Sequence, residues 1–241
     1  MLDILRLERL KTKRTIVSKL IWAIPLLVCI ITTLLFSTTG YIVESEINQW
    51  SFLWLNVFLA LEIGLIDRSE KINTQYKMII SSPINLSKFE FGRILHGILL
   101  ALKSSIVLII LIIVSAILIQ TRAPLINCII AVLGILIASL WEVPFYTWLS
   151  RKTNIYITLI IAFLGSFAGI SVANSSWGKL FPYTWPAVFP VSFTKMNING
   201  TLLPLNSNSQ HYLYTLIFSV ILMLLVSLGT TWSFKKQVAH L

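Results

Sequence analysis

Charge is scarce in this sequence. Asp, Glu, Lys and Arg make up 12% of its 241 residues, about half the share usual in a soluble domain, which excludes a water-soluble globular protein. Acid is scarcer than base, with nine Asp and Glu against nineteen Lys and Arg and a net charge of +10. The two cysteines, Cys29 and Cys128, lie inside apolar runs, so neither a disulfide framework nor a cysteine zinc site is suggested, and both read as small packing residues. The three histidines, His96, His211 and His240, are too dispersed to form one metal or catalytic cluster. There is no GxxxxGK[ST] phosphate loop, no HExxH, no CxxC and no GxSxG. The chain therefore reads as a non-enzyme that binds no cofactor of its own.

Apolar sequence is abundant, at 56% of residues. Its uncharged runs approach or exceed the roughly 20 residues that cross a bilayer as a helix. Six spans are expected, at about 16–39, 50–66, 94–119, 127–149, 155–173 and 212–234. Strands are excluded because a backbone in hydrocarbon must satisfy its own hydrogen bonds, which a helix does within one segment. The first run is too long for a signal-peptide core and no small-residue cleavage site follows it, so it reads as an uncleaved span. Fifteen of the nineteen Lys and Arg fall in the N-terminal segment up to Lys19, in the 67–93 loop, at Arg151 and Lys152, and in the tail at Lys235 and Lys236. Arg122, Lys179 and Lys195 fall on the other side, and the positive-inside rule then makes both termini cytoplasmic. The net charge reports topology and contact with anionic headgroups, and nucleic acid becomes an unnecessary partner.

Several segments between and within the spans carry patterns of their own. Residues 2–14 alternate Leu2, Leu5, Leu7 and Leu10 with Arg6, Arg9, Lys11 and Lys13, which suits a short interfacial helix or, alternatively, a frayed basic anchor. In the 67–93 loop, Ile72, Tyr76, Ile79 and Ile80 form one helical stripe with Lys71, Asn73, Thr74 and Lys77 on the polar faces. Pro83 stops this helix by pushing residue 82 out of the helical region. A second helix is expected to begin after Asn85 or Ser87. The stripe fits either a docking element for a partner or a helix resting on headgroups.

Glu142 stands nine residues before Arg151, about 13 Å at helical rise, and so inside hydrocarbon. It reads either as a polar element of a pathway or subunit interface, or as a structural pair with Lys103 or another cation. Glu62 lies nearer the cytoplasmic edge. Gly165 and Gly169 have the GxxxG spacing of close helix packing. Residues 174–210 carry Pro182, Pro186 and Pro190 with Trp177, Phe181, Tyr183, Trp185, Phe189 and Phe193 interleaved. The prolines exclude one regular helix and the aromatics favour the membrane interface, so a partly embedded cap is expected. A turn at Asn197-Ile198-Asn199-Gly200 follows, and the segment ends at Asn206-Ser207-Asn208-Ser209.

This organisation resembles the permease subunits of ABC-2-type transporters, in which an interfacial N-terminal helix precedes six spans, a coupling helix joins the second and third, and a re-entrant element precedes the sixth. The local likeness is Glu70-Lys71, Thr74, the Ile72–Ile80 stripe, Ser82-Pro83 and Arg93. Asn73 stands where the family pattern has glycine. Small size, the absence of a fused ATPase domain, Trp141-Glu142-Val143-Pro144 and the Trp/Pro-rich external segment are further similar to the permeases of lantibiotic self-immunity transporters. The resemblance implies an all-α, single-domain membrane protein over 1–241, in a bacterial plasma membrane. It also implies an ABC ATPase partner that carries ATP and Mg, and a second similar permease.

Under that resemblance Glu70, Lys71, Ile72, Thr74, Tyr76, Lys77, Ile79, Ile80, Ser82 and Pro83 couple to the ATPase. The cargo it implies is a lantibiotic or similar antimicrobial peptide exported from the membrane. Glu142, Trp177, Phe181, Trp185 and Phe189 are the candidate pathway or substrate contacts. The alternative is an ATPase-independent secondary transporter or channel using Glu142. A membrane enzyme would need a paired catalytic constellation within the spans, and none is found.

Overall fold

A computed structural model describes residues 2–74, 85–119, 121–204 and 213–239. Among these residues every regular element is a helix, and the β-type contact is an isolated Met196–Leu202 bridge. Five helices are long and apolar enough to cross a membrane, and a bent pair makes a sixth. The chain is an all-α, multi-pass membrane protein. Its outward faces carry large apolar side chains such as Trp22 and Leu34, Phe163 and Leu164, and Leu225 and Leu228. Small hydroxyl residues turn inward and tie helices together, as where Ser104 donates to Ile21 O at 3.3 Å and Ser219 to Ile137 O at 2.8 Å.

The N-terminal leucines and basic residues form α1 (Leu2–Thr12), which is helical and docked rather than frayed. Arg14, at φ 68°, turns the chain into α2 (Ile16–Phe36). The second span begins earlier than its apolar run. α3 (Ile42–Gln49), a π turn (Trp50–Trp54) and α4 (Leu55–Thr74) form one 32-residue helix over Ile42–Asn73. Glu44 and Glu46, which fall between the first two expected spans, lie buried inside it because tertiary partners receive them. Glu44 Oε1 accepts the backbone N–H groups of Arg122 (2.9 Å) and Ala123 (2.8 Å). Glu46 Oε1 accepts from Ser115 (3.2 Å) and the Cys29 thiol (3.3 Å). Cys29 thus has a polar role in addition to packing, whereas Cys128 is a buried core residue.

α5 (Leu86–Leu118) starts where Asn85 caps it, its side chain accepting from Ser87 N and Lys88 N. The fourth span is broken. α6 (Leu125–Ala138) and α7 (Glu142–Lys152) meet at a 42° bend across Ser139–Trp141. Pro144 is the third residue of α7, where a missing N–H costs nothing because the first turn has no intrahelical acceptor for it. α8 (Ile155–Val172) packs with α7 on α4. After two short 3-10 turns, α9 (Trp185–Val188) and α10 (Val191–Thr194) lead to α11 (Leu213–Ala239). The core gathers Trp50, Phe58, Leu108, Ile135 and Tyr146 between these helices.

Candidate functional site

At the Lys/Arg-rich end, ion pairs join four helices around the chain that leads into residues 75–84. Lys11 of α1 pairs with Glu8 (3.0 Å) and with Glu70 of α4 (3.0 Å). Asp67 receives Arg93 of α5 at 3.2 Å, Lys71 at 3.6 Å and the Ser150 hydroxyl of α7 at 3.2 Å. Glu90 of α5 pairs with Arg151 of α7, whose guanidinium lies 4.5 Å from the Phe234 ring of α11. Lys71 also donates to the carbonyls of Ser150 (3.0 Å), Arg151 (2.8 Å) and Thr153 (3.2 Å), so a cation sits where the α7 dipole ends. Arg93 and Arg151 are buried. These cations serve pairs inside the protein, not headgroup contact as the loop count alone suggests.

The expected coupling residues divide accordingly. Glu70, Lys71 and Ile72 belong to the last turns of α4 rather than to a separate helix, as does the backbone of Thr74. Ile72 is exposed. Tyr76, Lys77, Ile79, Ile80, Ser82 and Pro83 lie outside the described residues.

Polar groups continue into the bundle. Asn56 of α4 donates to Ala162 O (2.9 Å) and Ser166 Oγ (2.6 Å) of α8 and accepts from the Tyr146 hydroxyl of α7. Tyr146 lies 3.2 Å from the Tyr183 hydroxyl of the segment after α8. Glu142 of α7 is buried, and neither of its carboxyl oxygens has a hydrogen-bond partner among the described residues; the same holds for Glu62. Lys103 is exposed and forms no ion pair there, so the expected Glu142–Lys103 pair is not formed. Glu62, read from its spacing as an edge residue, is fully enclosed. Its Oε1 is 3.8 Å from where a Cβ on Gly97 would stand.

The segment after α8 descends between the helices. Tyr183 lies against the glycines of α8, where a Cβ on Gly165 would stand 2.5 Å from its ring and one on Gly169 2.8 Å from its carbonyl oxygen. The GxxxG face is thus filled from within the same chain. Phe189 occupies the space beside Gly134 of α6 in the same way. Gly134 is nine residues into its helix, about 13 Å from the helix start, so this segment reaches well down along α6. Its prolines start short helices instead of interrupting a long one, Pro182 opening a 3-10 turn and Pro186 falling in the first turn of α9.

Comparison with protein-family models, curated proteins and solved structures returned no match.

The four candidate aromatics separate by position. Trp177 is 75% exposed and Phe181 half-buried, whereas Trp185 and Phe189 are interior packing residues. The Trp185 indole donates to Lys179 O at 3.0 Å. Glu44, Glu46, Glu90, Asn56 and Tyr146 are polar residues that local patterns did not single out as a connected set. Apart from Cys29 beside Glu46 and Tyr183 beside Tyr146, their partners lie 61 to 110 positions away, beyond any local window.

Proposed function

We propose that this chain is the permease subunit of an ATP-driven exporter of the ABC-2 type. It works in a bacterial plasma membrane with both termini cytoplasmic, and expels a lantibiotic or similar amphipathic antimicrobial peptide. The observation that carries this reading is the ionic ring at the base of the 75–84 segment. Glu70 and Lys71 on its entering side and Glu90 and Arg93 beyond its exit are tied to α1, α4, α5 and α7. A push on that segment by a partner ATPase, which supplies ATP and Mg, is thereby delivered to the spans as a unit.

The peptide meets the exposed part of the re-entrant cap first, around Trp177. Affinity purification of this chain from its native membrane is expected to bring an ATPase and a second, similar permease. Lys77→Glu is expected to weaken the ATPase band; undiminished recovery would count against docking at 75–84. Lys71 is a poor probe, since its ammonium already holds the end of α7.

The carboxyl groups of Glu142 and Glu62, which have no hydrogen-bond partner among the described residues, favour a second reading, a secondary transporter or channel. Flux through the purified chain in vesicles without any ATPase, abolished by Glu142→Gln, would select it.

A further inference from the structure

At the Lys/Arg-poor end, the end of α8, the Ser176–Lys179 turn, α9, α10 and the start of α11 enclose a cavity of about 220 Å³. Its wall presents Asn174, Lys179 and Asn197, its apolar side presents Val188, Val191 and Ile198, and no acidic side chain lines it. Lys179 has no ion-pair partner among the described residues. Asn197 Oδ1 is taken by the Ile198 N–H at 2.9 Å, which leaves its amide N–H groups for another acceptor. The turn that carries Lys179 is held in place, since Trp185 donates to Lys179 O (3.0 Å) and Thr184 to Gly178 O (2.5 Å). The cavity is therefore a pre-formed site rich in donors with a single positive charge.

We infer that this cavity holds the phosphate of an anionic phospholipid from the adjoining leaflet. Sites for drug-sized ligands run to roughly 300–1,000 Å³, so the space suits a headgroup and not a folded peptide. Around it the surface is apolar and exposed, with Trp177 at 75%, Leu180 at 66% and, on α11 beside the lining residue Tyr214, Leu213 and Ile217. Acyl chains lie on such a surface without further partners.

The test is native mass spectrometry of the full chain released from nanodiscs of phosphatidylglycerol or phosphatidylcholine. Phosphatidylglycerol is expected to be retained preferentially. Lys179→Gln should reduce its retention roughly fivefold, the effect of removing one interfacial lysine–phosphate attraction. Lys179→Arg should keep it, and so should Lys152→Gln, an exposed cation at the other end of the bundle. Equal retention of the two lipids, or no effect of Lys179→Gln, would overturn the assignment. Inorganic phosphate added to phosphatidylcholine nanodiscs is expected to leave no Lys179-dependent adduct, and such an adduct would overturn the lipid as source. These readouts need no ATPase and no transport, so they stand or fall apart from the exporter reading.

Discussion

Single residues in the segment after α8 do different work although they are chemically alike. Trp185 is 5% exposed and donates a hydrogen bond, whereas Trp177 projects outward. Trp185→Ala is expected to cost about 3–5 kcal/mol, as for other buried aromatics, and to lower thermal stability in detergent. Trp177→Ala should stay within about 0.5 kcal/mol of the parent and, on the exporter reading proposed above, should lower the tolerance of cells to the antimicrobial peptide. Unchanged tolerance would remove Trp177 from the pathway. Gly165→Ala forces a methyl group against Tyr183 and should cost about 1–3 kcal/mol by overpacking. Were the GxxxG face a contact between subunits, the same change would reduce cross-linking between subunits at unaltered monomer stability. The sequence shows the aromatics and the glycines but not which of them meet. That is decided by contacts such as Tyr183 on Gly165 and Phe189 on Gly134, made across elements far apart in the chain.

Among the elements, long apolar helices were legible because hydrophobic length alone specifies them, and Asn85 announced the start of α5 as a side chain that caps backbone N–H groups. The start of the second span was not legible. Glu44 and Glu46 look like loop residues until Arg122, Ala123 and Ser115 arrive to satisfy them. The break between α6 and α7 falls at Ser139–Trp141, three to five residues before Pro144, which sits in the first turn of α7. The Glu90–Arg151 pair that joins α5 to α7 is buried on both sides. Arg151→Met should destabilise by about 3–5 kcal/mol because it leaves the Glu90 carboxylate uncompensated, whereas Glu90→Gln with Arg151→Met should recover most of that loss. Thermal unfolding of the two variants in one detergent checks this, and equal losses would show that packing rather than charge governs the junction.

For the whole molecule, the helices stand in an arrangement that buries polar residues toward one another and turns aliphatic residues outward. The joints at its two ends differ in kind. Ion pairs join α1, α4, α5 and α7 at the Lys/Arg-rich end, while backbone N–H groups held by Glu44 and aromatic rings seated on glycines close the other. The docking of α1 on α5 bears on how such a chain is made. Ile4 rests on Gly92, where a Cβ would stand 2.5 Å from its Cγ2 atom. α1 therefore cannot take its seat on α5 until some ninety further residues have followed, roughly 5–18 s at about 5–20 residues per second. During that interval the leucines of α1 have the membrane surface to cover them, so this helix rests on lipid first and on α5 afterwards.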